Sequence, residues 1–143
     1  MTYSITRQLE FDAGHRVYGH EGKCANIHGH RYVVFITAEP SIGLDDLGRV
    51  VDFSVIKEKV GGWIDECLDH GMILWREDPI ADFWRGKPNG EYHKHVFMDE
   101  NPTAENIAKM IYKACLNMFG GDKITVTDVT VKETPNCSAT YKP

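Results

Sequence analysis

Cys24-Ala25-Asn26-Ile27-His28-Gly29-His30 runs directly into Arg31-Tyr32-Val33-Val34-Phe35-Ile36-Thr37-Ala38-Glu39. A knot of metal-binding side chains therefore opens a run of β-branched and aromatic residues. The run predicts a strand over His30 to Glu39, ended by Pro40. The i, i+2 spacing of His28 and His30 sends both imidazoles to one face, and Gly29 between them lets the backbone bend close to an ion.

Upstream, Tyr3, Ile5, Leu9, Phe11 and Ala13 alternate with Thr2, Ser4, Thr6, Gln8, Glu10 and Asp12. Period two predicts a strand from Thr2 to His15, followed by a glycine-containing loop from Val17 to Ile27. If the two strands pair as an antiparallel hairpin, His15 comes to lie beside His28 and His30. Three neutral imidazoles bind Zn²⁺ and leave a fourth position open, the arrangement of catalytic zinc. Cys24 either stays off the ion as a proton-moving thiol or closes the site as a fourth, structural ligand, and ligand types admit both. A metal-free cluster is harder to arrange, because it buries three imidazoles with nothing between them.

The rest of the composition bounds what this segment can belong to. At 143 residues the chain is one domain, residues 1–143, long enough to bury roughly two thirds of its unfolded surface. It is 42% hydrophobic and 26% charged, and no stretch approaches the ~20 apolar residues of a membrane span. The start lacks the basic flank and apolar core of a signal peptide, so a cytoplasmic location is expected. A net charge of -5 without a basic cluster argues against a nucleic-acid partner. Cys24, Cys67, Cys115 and Cys137 form no Cys-x-x-Cys pair, which excludes a zinc ribbon or redox dithiol. Cys67 and Cys115 read as buried thiols at helical spacing, and Cys24 as the thiol that meets solvent and substrate.

Asp52 is placed to cap a helix with apolar positions Phe53, Ile56, Val60, Trp63, Ile64, Cys67 and Leu68, with Gly71 as its stop. Gly61-Gly62 inside it suggests close packing on a sheet. Residues 72–100 carry Trp75, Phe83, Trp84, Tyr92 and Phe97 but are broken by Pro79, Gly86, Pro88 and Gly90. They read as an ordered excursion packed on the body or on another subunit, and His93-Lys94-His95 within it as surface histidines. A second helix starts at Asn101-Pro102-Thr103-Ala104-Glu105 and buries Ile107, Ala108, Ile111, Tyr112, Cys115 and Phe119. Strands over Lys123 to Glu133 and Cys137 to Tyr141 follow. The expected class is α+β, an antiparallel sheet with two helices on one face in the order ββααββ.

Cys24-x-x-x-His28-Gly29-His30, preceded by Phe11-Asp12-Ala13-Gly14-His15, resembles the 6-pyruvoyl-tetrahydropterin synthase superfamily. The likeness extends to Val51-Asp52-Phe53, Leu68-Asp69-His70, Asn101 to Asn106 and Val131-Lys132-Glu133-Thr134-Pro135. Three residues between the cysteine and His-Gly-His are typical of its 6-carboxy-5,6,7,8-tetrahydropterin synthase branch. The resemblance implies a tunnelling fold (T-fold) and a zinc-dependent lyase. Its reaction would turn 7,8-dihydroneopterin triphosphate into 6-carboxy-tetrahydropterin, acetaldehyde and triphosphate, an early step toward queuosine. It implies Zn²⁺ on His15, His28 and His30, and Cys24 as general base. It also implies Asp69 and His70 as a proton-relay pair, Glu133 as pterin anchor, and Thr103 and Glu105 in the same pocket. A trimer or dimer of trimers with interfacial sites is expected. The rivals are 6-pyruvoyl-tetrahydropterin synthesis from the same substrate and a non-catalytic zinc-stabilised binding module. Arg16, Lys23 and Lys57 are the candidate triphosphate partners. Gly71-Met72, where many relatives carry a basic residue, and the long 72–100 excursion depart from the family pattern.

Overall fold

The computed structural model describes residues 2–90 and 92–143. Strand β1 (Ile5–His15) pairs antiparallel with β2 (His28–Pro40), with His15 opposite His28, Gly14 opposite Gly29 and Ala13 opposite His30. Phe11, Ala13 and His15 point inward on β1 while Thr6, Gln8 and Glu10 face solvent. Tyr32, Val34, Ile36 and Ala38 are buried on β2. The pleat thus follows the predicted alternation. The strand limits differ slightly: β1 starts at Ile5 rather than Thr2, and β2 takes in His28 and Pro40.

Asp52 caps the first helix by accepting from Ser54 N at 2.9 Å. The helix runs as α1 (Phe53–Ile56), a π-helical turn (Lys57–Gly61) and α2 (Gly62–Cys67), burying Ile56, Val60 and Ile64. Phe53, expected inside, stands at the first helical position and is 51% exposed. A Cβ on Gly61 would sit 3.6 Å from Leu9 Cδ2, so the helix does press on the sheet there. The helix ends at Cys67 with Leu68 as its C-cap, and the left-handed residue beyond it is His70, with φ of 62°, and not Gly71.

Gly71 instead opens strand β3 (Gly71–Trp75), which pairs parallel to β1. A Cβ at Gly71 would lie 3.1 Å from Lys94 Cγ and 3.3 Å from each of two carbonyl oxygens, Leu68 O and Lys94 O, so any side chain there would force its neighbours to shift. Strand β4 (His95–Met98) pairs parallel to β3. The expected order ββααββ is therefore corrected to ββαββαββ, with the α+β class and the two helices retained. The sheet order is β4-β3-β1-β2-β5-β6. Both extra strands lie in the excursion, where runs of four or five residues without alternation give period-based reading nothing to count.

Between β3 and β4, Asp78 caps a 3-10 turn (Pro79–Phe83) and binds Arg16, so the excursion is fastened to the end of β1. Helix α3 (Ala104–Phe119) buries the six residues predicted for it, and Thr103 within the predicted start is its cap. Strand β5 (Ile124–Thr134) lies between β2 and β6 (Cys137–Tyr141). Both helices pack on one face of the sheet, over a core that includes Phe11, Tyr32, Val34, Ile64, Ile107, Ile111 and Val131.

A bulge in β5 positions the site. Thr37 pairs with Asp128 but Ala38 pairs with Val126, leaving Thr127 as the extra residue. Inward positions are accordingly Ile124 and Val126 before it, then Val129 and Val131 after it. Glu133 inherits the second parity and joins the histidine face.

Candidate metal centre and adjoining cavity

His15, His28 and His30 come together: one ring nitrogen from each lies within 4.8 Å of the other two. His15 Nδ1 is 2.7 Å from Pro102 O, and His28 Nδ1 is 2.6 Å from Asn26 O. A carbonyl oxygen only accepts, so each Nδ1 carries the ring proton and each Nε2 presents a lone pair. Those two Nε2 atoms face each other at 3.1 Å. Two lone pairs at that separation repel unless a cation lies between them. His30 Nε2 is buried with no hydrogen-bond partner among the described residues, and completes a three-nitrogen donor set that suits Zn²⁺.

Burial lowers the His15 pKa to about 4, with the neighbouring His28 and His30 adding to the shift against the opposing Pro102 hydrogen bond. Burial also lowers that of His30, against the opposing pull of Glu133. Both shifts favour the neutral form that a metal requires. The Glu133 carboxylate stands 3.9 Å from His15 Nε2 and 3.9 Å from His30 Nε2. Tyr32, behind the cluster, has its ring edge-on to His15 and His30 and its buried hydroxyl without a partner among the described residues. Burial, followed by the charge of Glu133, raises its pKa far above the ordinary phenol range. Sequence reasoning missed this hydroxyl, although its i+2 spacing from His30 was the available signal.

Cys24 sits on a 3-10 turn (Lys23–Ala25), held where Val17 N donates to Cys24 O at 2.8 Å. Its sulfur is not part of the mutually close ligand group. It instead lines a cavity of about 230 Å³ together with His15, Thr103, Glu105 and Glu133. Thr103 accepts from Asn106 N as the α3 cap, and Glu105 follows in the first turn. The expectation that Cys24 is the most solvent-accessible thiol is corrected: Cys137 is exposed, Cys24 and Cys67 are partly covered and Cys115 is buried. Cys137 opens the short edge strand β6, where nothing packs over it.

Asp69 and His70 pair at 2.7 Å through Oδ2 and Nδ1. Adjacent residues meet this way because His70 has left the helix for the left-handed region. Asp12 N donates to Asp69 Oδ1 at 2.9 Å, and His70 N donates to Asp12 O at 2.6 Å. Partial burial pushes the Asp69 pKa up, but the hydrogen bonds from Asp12 N–H and His70 outweigh it and hold the group below the usual carboxylate range. Lys94 secures this corner by donating to Asp65 O at 2.6 Å and also to Asp69 O. The Lys94 flanked by histidines is thus a helix-end cap.

The relay pair does not reach the Cys24 cavity within one chain. His70 lines a different space, a groove of about 710 Å³ that also borders His28 and His30 together with Asp12, Arg31 and Trp84, while His15 borders the Cys24 cavity; no lining residue is common to the two. Asp12 and Arg31 belong to the pleat face opposite His15. Arg16, a candidate phosphate partner, is already committed to Asp78, and neither Lys23 nor Lys57 lines the cavity.

The family model for 6-pyruvoyl tetrahydropterin synthase matches residues 4–143. The 6-carboxy-5,6,7,8-tetrahydropterin synthase of Rickettsia bellii is 44% identical over 92% of this chain and 94% of its own length. That of Aquifex aeolicus is 32% identical over 99% of both. Among solved structures, an uncharacterized protein from Wolinella succinogenes superposes with a TM-score of 0.83 at 26% identity, covering 99% of this chain and 98% of that one. The 6-pyruvoyl tetrahydropterin synthase of Caenorhabditis elegans shares the fold, with a TM-score of 0.71 at 24% identity over 100% of this chain and 96% of that one. With a six-stranded sheet of this order, two helices on one face and sequence likeness along nearly its whole length, the chain belongs to the 6-pyruvoyl tetrahydropterin synthase family.

Proposed function

We propose that the chain is a zinc-dependent 6-carboxy-5,6,7,8-tetrahydropterin synthase, a cytoplasmic lyase on the route to queuosine and related 7-deazapurines. It converts 7,8-dihydroneopterin triphosphate into 6-carboxy-tetrahydropterin, acetaldehyde and triphosphate. The names of the Rickettsia and Aquifex relatives support the product. The observation that carries the site is the pair of carbonyl-committed Nδ1 atoms, which turns imidazole lone pairs toward one point beside a cavity holding a thiol and a carboxylate.

Zn²⁺ bound there supplies Lewis acidity toward the substrate's side-chain hydroxyls. Glu133 anchors the pterin, since one carboxylate accepts the ring N–H and exocyclic amino group together. Thr103 and Glu105 complete that wall. Cys24, off the metal, takes and returns carbon-bound protons as general base. Asp69 and His70 form the second proton-exchanging pair, with Asp69 fixing the ring of His70. Because their groove meets the histidine cluster at His28 and His30 and shares no lining residue with the Cys24 cavity, we assign them to a site completed by another copy of the chain. Trimers or dimers of trimers accomplish this, and the open sheet edges β4 and β6 are available for association.

Incubation of zinc-loaded protein with 7,8-dihydroneopterin triphosphate tests the proposal. Acetaldehyde and 6-carboxy-tetrahydropterin are the expected products. A 6-pyruvoyl product without acetaldehyde refutes the branch assignment, and no turnover refutes the enzyme reading.

A further inference from the structure

The cavity beside the histidine cluster contains a ring donor that the proposed chemistry leaves unused. His20 lines it together with Cys24, Glu105 and Glu133, and its side chain is 32% exposed, so it borders both the cavity and bulk solvent. Gly22 N donates to His20 Nδ1 at 2.8 Å. A backbone N–H only donates, so Nδ1 is the lone-pair nitrogen and the ring proton resides on Nε2. The arrangement is built by the loop itself. A Cβ at Gly22 would lie 3.2 Å from His20 Cε1 and 3.4 Å from Nδ1, so glycine makes room for the ring to fold back on the chain. His20 N donates to Val17 O at 3.1 Å, which fixes the backbone on the other side. The Glu21 carboxylate, 4.0 Å from Nδ1, is beyond hydrogen-bonding reach. Nε2–H has no partner among the described residues.

The proposed substrate makes this donor consequential. A triphosphate must approach a chain of net charge -5 and a cavity walled by two glutamates. Arg16 is neutralised by Asp78, and His15 has one ring nitrogen on Pro102 O and the other at the metal cluster. Among the described residues that line the cavity, His20 is the one with an uncommitted ring N–H.

We propose that His20 Nε2–H donates to an oxygen of the substrate's phosphate chain at the mouth of the cavity, and so selects for the phosphorylated pterin. This rests on the reading of the substrate as a pterin triphosphate. The test is calorimetric titration of the zinc-loaded protein with two probes, inorganic tripolyphosphate and unphosphorylated 7,8-dihydroneopterin, in the wild type, His20→Phe and His20→Gln. His20→Phe is expected to weaken tripolyphosphate about tenfold, the worth of one hydrogen bond to a charged group, while dihydroneopterin affinity stays unchanged. His20→Gln, whose amide donates, is expected to recover most of the loss. Unchanged tripolyphosphate affinity in His20→Phe overturns the proposal, as does absence of tripolyphosphate binding to the wild type. Equal weakening of both probes also overturns it, because the ring would then only hold the loop. If instead the wild type fails to bind dihydroneopterin, the reading of the substrate itself fails, independently of His20.

Discussion

Asp78→Asn isolates what fastens the excursion to strand β1. Asp78 is 1% exposed and accepts from Arg16 Nε at 2.8 Å, Arg16 Nη2 at 2.5 Å and Ile80 N at 2.9 Å. An asparagine retains one acceptor oxygen and turns an amino group toward the guanidinium. Breaking a buried ion pair from one side costs about 3–5 kcal/mol. The Arg16 side chain is 22% exposed and can recover water, which places the expected cost nearer 2–3 kcal/mol. For a domain of this size that corresponds to a fall in melting temperature of roughly 6–10 °C. Arg16 follows His15 directly, so the loss is felt at the end of β1 as well as in the 3-10 turn.

The same pair sets a pH signature. Burial pushes the Asp78 pKa up, but Arg16 and Ile80 N–H together hold it below its ordinary 3.8. A carboxyl depressed on folding stabilises above its unfolded pKa, and that contribution is lost as pH falls through the folded value. The gap in melting temperature between wild type and Asp78→Asn, measured on metal-free protein by circular dichroism, is therefore constant near neutrality. It closes below 3.8. Replacing both partners, as Arg16→Met with Asp78→Leu, is expected to recover most of the stability because neither charge is left unpaired. A gap under about 2 °C at pH 7, a gap that persists in acid, or a double variant no better than the single one refutes the reasoning.

Cys24→Ala is expected to retain one zinc per chain by elemental analysis and a wild-type melt while losing about 10²–10⁴ in turnover, the scale of a general base; loss of stoichiometric zinc would instead make Cys24 a ligand. Mixing inactive Cys24→Ala with inactive His70→Ala chains, after dissociation and reassembly, is expected to restore about a quarter of wild-type activity if sites are shared between copies. No recovery would mean that both groups act within one chain. Gly71→Ala is expected to destabilise by about 1–3 kcal/mol, since its methyl meets two carbonyl oxygens that backbone hydrogen bonds hold in place, Leu68 O by Gly71 N and Lys94 O by Met72 N. A chemical-denaturation midpoint equal to wild type would show that the backbone yields.

Much of the fold was legible because long amphipathic elements declare their period. The alternation of β1, the six inward residues of α3 and the Asp52 cap all read directly from residue order. Strands β3 and β4 did not, being short, parallel and embedded among glycines, prolines and aromatics. The convergence of His15 with His28 and His30 followed from pairing two strands, which required only local pattern and one hairpin. The atoms that decide what those rings can do were invisible, because the carbonyls of Asn26 and Pro102 belong to every residue type alike. Likewise Asp69 and His70 stand next to each other in sequence, but whether they face the cysteine depends on pleat parity around Asp12.

Glu133 shows how far such parity reaches. Counting back along β5 by twos from Glu133 passes Val131 and Val129, both buried, then Thr127, which is the bulged residue. Beyond it the buried residues are Val126 and Ile124, so an unbroken pleat that buried them would have turned Glu133 to the opposite face. One extra residue, some six positions away, is what sets its carboxylate against His15 and His30 and over the Cys24 cavity. Nothing in Thr125-Val126-Thr127-Asp128-Val129 announces the bulge, since threonine and valine suit either face. Its signal is the change of hydrophobic parity between the two halves of the strand, which has meaning only once both halves are known to cover one core. The carboxylate proposed to anchor the pterin is thus aimed by a backbone irregularity that packing against α3 and β2 enforces.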